Sequence, residues 1–260
     1  MSKIEQYLAP IRELGIEQGD VLFVSSDIKR LLFGYYEKYD EMLSVDDIID
    51  YLQQLVGEKG TLLFPTYNWG FCRGVAWDYY KTKCETGSLG IVALKRKDFK
   101  RTQHPIYSYS VWGKDQEFLC NKTNRSSFGA DSVFAYLAEK HAKNLIIDVN
   151  FTHCLTFVHY VEQNSGLVTY RYEKNFTALY RDSQGVESTR IYSMFVRDLD
   201  LDVVNDFDPM EKQLLERGIA KRIHIDDVPI TLLDMHGAIA PIFEDIKNNR
   251  SRKICKYKGQ

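Results

Sequence analysis

The sequence predicts an α/β fold: a mixed central sheet with flanking helices and an added antiparallel portion in the C-terminal half. Three observations carry that prediction. Short apolar runs at Val21–Val24, Thr61–Phe64 and Asn144–Val149 are typical of strands buried on both faces. Stretches with helical spacing separate them. Beyond residue 166 the pattern changes to shorter strand candidates with a turn at Asp182-Ser183-Gln184-Gly185. Buried strands alternating with helices make a parallel or mixed sheet, and the later strands add the antiparallel part.

Each element follows from its own residues. Ile4, Leu8, Ile11 and Leu14 recur at helical spacing and predict a first amphipathic helix. VLFV then forms a strand, and a polar loop is expected from Ser25-Ser26-Asp27. Ser44 reads as an N-cap with Asp47 three residues on, opening a helix through Leu55 that ends at Gly57. Gly60 leads into the strand TLLFP. A further strand is expected over Tyr107–Trp112, a helix over Ser132–Lys140 and a strand over Asn144–Val149. An aromatic-rich helix covers Leu155–Asn164. Strands are expected at Leu167–Tyr172, Phe176–Arg181 and Val186–Tyr192, and helices at Pro209–Arg217 and Thr231–Ile246.

Composition bounds the function. Of 260 residues, 44% are hydrophobic, enough for a sizeable core in one domain spanning residues 1–260. Formal charge is 34 − 36 = −2, which disfavours a polyelectrolyte binder and so nucleic acid. The basic run RSRKICKYK at the C-terminus reads as a solvated tail. No apolar run approaches the roughly 20 residues that span a membrane, and the N-terminus is not a signal peptide. The five cysteines are widely spaced without a CxxC pair, which predicts neither zinc nor a disulfide framework. The expectation is a cytoplasmic protein without a metal.

Chemistry in open α/β sheets sits beyond the carboxyl ends of the strands. Three polar segments fall there: Ser25–Arg30, Pro65–Trp69 and Val149–Cys154. The first offers hydroxyls and the cations Lys29 and Arg30 to a phosphate, although such charges equally suit a solvated surface. No GxxxxGK[ST] or GxGxxG is present, which disfavours Walker-type and dinucleotide-binding folds. The sharpest local signal is Thr156-Phe157-Val158-His159-Tyr160-Val161-Glu162. On a helix Thr156, His159 and Glu162 share roughly one face. A carboxylate beside an imidazole sets its tautomer and raises its basicity, which suits a general base and equally a half-buried structural histidine. His104-Pro105 holds His104 on a defined loop before the Tyr107 strand.

Taken in order, these segments resemble the aminoglycoside 3-N-acetyltransferase family, also called the antibiotic N-acetyltransferase family. The resemblance lies in VLFVSSDI, GTLLFPTYN at residues 60–68, the Arg101–Tyr109 segment RTQHPIYSY with Gly113 after it, and Thr156-x-x-His159-x-x-Glu162. It spans roughly Val21 to Glu162. Val24, Asp27 and Thr102 depart from the residues usual at those places.

The resemblance implies acetyl-CoA as donor and direct transfer in a ternary complex. His159, oriented by Glu162, would take a proton from a sugar ammonium. Backbone N–H groups or the Thr66 hydroxyl would then meet the tetrahedral oxyanion. Thr156 joins this catalytic set. Ser25, Ser26, Asp27, Lys29 and Arg30 would lie along CoA, with Lys29 or Arg30 on a phosphate, and His104 and Ser108 would line the same cleft. Tyr67, Asn68, Trp69 and Trp77 are the acceptor candidates. Arg73, Lys81 and Lys83 against the single Asp78, interleaved with Trp69, Phe71, Trp77, Tyr79 and Tyr80, suit a flat base and a diphosphate, although core packing explains the aromatics equally. The expected acceptor is therefore a nucleotide-linked (dTDP or UDP) amino sugar of surface-polysaccharide synthesis, with an aminoglycoside antibiotic as the alternative. Two rival mechanisms stand beside direct transfer: a covalent acetyl-enzyme at Cys154, close in sequence to His159, and a non-catalytic binding protein of the same fold. The partner expected is a small molecule, with no nucleic acid and no membrane. A homodimer is left open.

Overall fold

The computed structural model describes residues 2–257. In chain order the elements are α1 (Lys3–Leu8), β1 (Val21–Ser26), α2 (Lys29–Tyr39), α3 (Val45–Val56), β2 (Thr61–Pro65), β3 (Trp77–Asp78), α4 (Ser88–Ala93), β4 (Lys100–Arg101), β5 (Tyr109–Gly113), α5 (Gln116–Cys120) and α6 (Val133–Glu139). They continue with β6 (Lys143–Ile147), α7 (Phe151–Cys154), α8 (Phe157–Ser165), β7 (Arg171–Arg181), β8 (Glu187–Arg197), β9 (Val203–Asn205), α9 (Asp208–Glu216), β10 (Ala220–Ile225), β11 (Val228–Asp234), α10 (Met235–Asn249) and β12 (Cys255–Tyr257).

Seven strands form the central sheet in the order β10-β11-β6-β1-β2-β5-β4. β1 is parallel to both of its neighbours, pairing Phe23 with Leu63 and with Asn144. The outer strands are antiparallel. The mixed α/β architecture is thus the one the sequence predicts. Two buried clusters cover the two faces. One includes Phe23, Leu63, Phe134 and Val158, and the other includes Leu22, Leu62, Ile49 and Leu52. Alternate residues of β1 and β2 enter opposite clusters, which is why both strands are apolar throughout. A second sheet, β3-β7-β8, carries the long β7–β8 hairpin.

Local signals account for several boundaries. Ser44 caps α3: its hydroxyl accepts from the Asp47 N–H while Asp47 returns a bond to the Ser44 N–H. Gly113 closes β5 at φ 102°, where a Cβ would stand 2.2 Å from the carbonyl oxygen of Gly60. Only glycine fits that approach.

Other expectations change. The first helix breaks at Pro10 into α1 and a 3-10 segment over Ala9–Leu14. Ser25 and Ser26 belong to β1, because they pair with Ile146 and Ile147. The strands expected at 167–172 and 176–181 are one strand, since every residue of β7 pairs with β8; Lys174 and Asn175, exposed on opposite faces, interrupt the apolar pattern without breaking the ladder. Thr231 lies in β11, not in a helix. Its apolar run suits either state by periodicity, and pairing with β6 and β10 decides for strand. Asp234 then caps α10. The basic tail is not a solvated end: Ser251, Ile254 and Cys255 are buried and β12 pairs with β9. Lys258 lies outside the described residues. Among the described residues no helix is long and apolar enough to cross a membrane, and no group of three or more His, Cys, Asp and Glu side chains is placed to hold a metal ion.

Loss of the α3 cap is the simplest test of this local account. Ser44→Ala should lower unfolding stability by ~1 kcal/mol, read as a shift of the urea midpoint at constant slope.

Candidate active site

Helix α8 begins beyond the carboxyl end of β6 and turns its first residues toward two cavities. Thr156 lines a narrow cavity of about 230 Å³, together with Ser25, Ser26, Pro65, Tyr67, Trp69, Thr86, Gly87, His153 and Cys154. Apart from Thr86 and Gly87, these residues come from the ends of β1, β2 and β6, the three strands that run parallel at the sheet centre, and from the loops that follow them. One turn on, His159 lines a groove of about 420 Å³ against the β7–β8 hairpin. Trp69 lines both spaces. The two spaces therefore adjoin at Trp69, and Thr156 and His159, one helical turn apart, line one each.

The imidazole is held from behind. His159 Nδ1 lies 2.6 Å from Glu162 Oε2. A carboxylate can only accept here, so Nδ1 carries the proton and Nε2 keeps its lone pair. Nε2 has no protein hydrogen-bond partner among the described residues. Glu162 is fully buried. Its other oxygen accepts from the Tyr170 hydroxyl at 2.7 Å, and Arg171 Nε lies 3.0 Å from Oε2 as an ion pair too bent for a hydrogen bond. Burial alone would raise the Glu162 carboxyl, but His159, Arg171 and Tyr170 together hold it below the ordinary range. Burial lowers the proton affinity of His159, and the Arg171 charge adds to that. Glu162 opposes both and the net shift is downward. A neutral imidazole with a free Nε2 is the form that can accept a proton near neutrality.

The remaining candidates separate into two groups. Ser25, Ser26, Tyr67, Trp69 and Thr156 line the narrow cavity. Asp27, Lys29 and Arg30 lie outside its lining. The Arg30 guanidinium is committed to Asp148 and to the Asp227 carbonyl, each at 2.7 Å, while Lys29 Nζ is exposed 3.8 Å from Asp27. Asn68 ties its own loop, donating to the Lys83 carbonyl and Glu85 and accepting from the Gly70 N–H.

Four expectations are corrected outright. Thr66 is wholly buried. Ser108 donates to the Thr66 carbonyl, so the bond between the two hydroxyls, 2.9 Å long, must use the Thr66 proton. Neither Thr66 nor Ser108 has a donor left for an oxyanion or a ligand. His104 is buried with Nδ1 accepting from the Ile106 and Tyr107 N–H groups, so it fastens its loop and lines neither the narrow cavity nor the groove. Trp77, 1% exposed, stacks on Tyr180 at 4.8 Å with Arg101 at 5.0 Å from its ring. It is a core residue, and the composition of residues 70–83 could not distinguish that from a binding surface.

Sequence reasoning also missed residues. Tyr170, just before β7, and Arg171, its first residue, complete the Glu162 site, and no local motif marks them. Thr86 and Gly87 enter the narrow cavity from the turn before α4. The turn glycine at φ 70° was the available signal.

With this geometry established, comparison with known proteins is informative. The sequence profile described as aminoglycoside 3-N-acetyltransferase matches residues 36–244. The chain belongs to the aminoglycoside 3-N-acetyltransferase family. It is thereby an N-acetyltransferase. The Ser-Ser end of β1 lies upstream of the matched segment. Among solved structures, the binary complex of AAC-IIIb with CoASH is similar at 19% identity and TM-score 0.74, covering 96% of this chain and 97% of that one. Sisomicin-bound AAC-VIa is similar at 17% identity and TM-score 0.76, covering 96% and 98%. YokD from Bacillus subtilis is similar at 18% identity and TM-score 0.74, covering 95% and 94%. Likeness at these identities speaks to the fold. No curated protein matches the sequence.

The buried His104 makes a pH prediction. Burial pushes its proton affinity down from 6.5 to about 3. The unfolded chain therefore binds a proton that the folded chain refuses across that window. Its contribution is intact above pH 6.5 and is lost as pH falls toward 3. The thermal midpoint should drop over that range, and His104→Asn should flatten the slope.

Proposed function

We propose that the protein transfers an acetyl group from acetyl-CoA directly to the amino group of an amino sugar, with His159 as general base. The observation that carries this reading is the shared wall. Trp69 lines both the narrow cavity at the strand ends and the groove holding His159, so a thioester in one and an amine in the other would meet beside it. The narrow cavity, below the ~300–1,000 Å³ of sites for whole drug-sized ligands, suits the slender acylated arm of CoA. The CoASH complex of AAC-IIIb supports that donor.

The chemistry follows from the residues. The incoming ammonium must lose a proton before its nitrogen can attack the thioester carbon. His159 Nε2 accepts it, and Glu162, already ionised, stabilises the imidazolium that forms. The hydroxyl of Thr156 has no protein partner among the described residues and lines the donor cavity, so it takes over from Thr66 as the side-chain donor for the oxyanion. As the tetrahedral adduct collapses, the nitrogen gives up its second proton, which the departing sulfur takes to leave as the CoA thiol, and the imidazolium returns the first proton to solvent.

Cys154 lines the donor cavity, but burial raises its thiol far above the ordinary range. A thiol so reluctant to ionise is a poor nucleophile, which supports direct transfer over an acetyl-enzyme. For the acceptor, the family's description and the sisomicin-bound AAC-VIa support an aminoglycoside better than a nucleotide-linked amino sugar. The aromatic surface invoked for a nucleotide base has lost Trp77 and Phe71 to the core.

CoA release with acetyl-CoA and a panel of amino sugars tests the reading. His159→Ala should lower kcat by roughly 10²–10⁴-fold with acetyl-CoA affinity nearly intact, and Glu162→Gln should cost less. Near wild-type turnover by His159→Ala would refute the base. Cys154→Ala should stay active, and mass spectrometry after incubation with acetyl-CoA alone should find no acetylated protein. A kinetically competent acetyl-Cys154 would overturn direct transfer.

A further inference from the structure

Two groups converge on one oxygen behind the imidazole. Glu162 Oε2 lies 2.6 Å from His159 Nδ1 and 3.0 Å from Arg171 Nε, while Oε1 is taken by the Tyr170 hydroxyl at 2.7 Å. The Arg171 side chain is only 5% exposed, and its far end is fastened. Nη2 donates to Asn205 Oδ1 at 2.5 Å and Nη1 to the Phe195 carbonyl at 3.4 Å. Asn205 belongs to β9, which β12 pairs at Cys255. A planar guanidinium gripped by β8 and β9 does not turn toward solvent, and it stays charged at any working pH. Its charge is therefore fixed beside Oε2.

A second proton on the imidazole would set two cations against that one oxygen. Glu162 by itself favours the imidazolium, and such a buried ion pair would keep the base occupied before an amine arrived. Burial works against the imidazolium, and Arg171 adds to it, so the ring is neutral. Arg171 and Glu162 are the two charges that act on His159. The other groups around it are neutral, paired or without effect on the ring. The Phe128 and Phe207 rings flank it at 5.5 and 6.1 Å. Burial and Glu162 hold the proton on the Tyr170 phenol, and burial pushes the Cys255 thiol beside it up to about 12. Asp206, next to Phe207, pairs with Lys256 at 2.6 Å. Lys174 and Arg197 line the same groove but are not among the charges that act on the ring.

We propose that Arg171, held by Asn205, is a positioning residue for the transfer: acting through Glu162, it restricts the imidazole to one proton, on Nδ1, and leaves Nε2 open to the incoming amine. This rests on the reading of His159 as the acceptor base. Glu162 orients the ring, and Arg171 limits how tightly that carboxylate holds the proton Nε2 takes up. The imidazolium formed in the transfer then gives its proton to solvent and the base is restored for the next turnover.

NMR of the protein with ¹⁵N-labelled histidine reads the ring itself. The chain has 6 His, and His159→Gln assigns the signals of this one. In the wild type the neutral ring should carry its proton on Nδ1; a proton on Nε2 would overturn the proposal. Arg171→Met should move the His159 titration to higher pH, and the acid limb of kcat/KM should follow. Its activity loss should be roughly 10-fold greater at about pH 6 than at about pH 8.5, the effect of one unit of titration. Arg171→Lys should recover part of both. A titration that stays in place, with activity lost equally across the range, marks Arg171 as structural only and overturns the proposal. A titration that rises while the acid limb does not follow upholds the charge assignment and refutes His159 as the base. If no amino sugar is turned over, the transfer reading fails and the titration alone decides for or against Arg171. If Arg171→Met does not fold, Glu162→Gln/Arg171→Met, which removes both charges, is compared with Glu162→Gln. The double variant should titrate at the higher pH, and an equal or lower titration overturns the proposal.

Discussion

A single buried carboxylate organises the site. Glu162 is removed from water, and a buried ionised group persists only where it is paired and hydrogen-bonded. Its partners come from two elements. His159 lies on its own helix α8, whereas Tyr170 and Arg171 arrive at the start of β7. The requirement to neutralise one charge thus ties the helix that carries the imidazole to the hairpin that forms the groove wall. It also sets the tautomer of His159, since the proton on Nδ1 is committed to Glu162. Breaking one side of such an arrangement leaves an uncompensated charge in the interior, at a cost of ~3–5 kcal/mol.

The second constraint is the division of space. The parallel strands β1, β2 and β6 end side by side, and their following loops converge on the narrow cavity. Antiparallel β7 and β8 stand beyond them and enclose the groove. Trp69 sits where the two architectures meet, edge-on to Tyr67 and Tyr107. Its position follows from the loop after β2. Arg101 holds that loop with bonds to the carbonyls of Thr66, Tyr79 and Thr82. Arg101 is buried with no carboxylate in ion-pair range among the described residues, and burial lowers its proton affinity to about 10. The carbonyls and the face of Trp77 take the place of a counter-ion. Thr66, Ser108, His104 and Trp77 are therefore the support of the site: they hold the loop that places Trp69.

The central strands and α3 were legible in the sequence. β1, β2 and β6 are apolar on both faces, and Ser44 with Asp47 forms a signal complete within four residues. The pair His159 and Glu162 was equally visible, because i, i+3 spacing on a helix needs no knowledge of the rest of the chain. The 167–181 strand and the 231–234 strand were less so. Their residues suit more than one local state, and only pairing with distant strands chooses. The buried polar residues were not legible at all. Thr66 and Ser108 have the same chemistry whether they face a ligand or each other, and Trp77 has the same surface whether it stacks on a base or on Tyr180.

The sequence by itself determined the α/β class, the apolar centre of the sheet, the helix that bears His159 and the carboxylate one turn behind it. All of these depend on periodicity and caps, which are local and repeat along the chain. Only the tertiary structure decided that Tyr170 and Arg171 complete the Glu162 site and that Trp69 lines both cavities. Those outcomes depend on strand register and on which loops share a strand end. The chain settles both by burying all its apolar faces at once, and no short segment records that requirement.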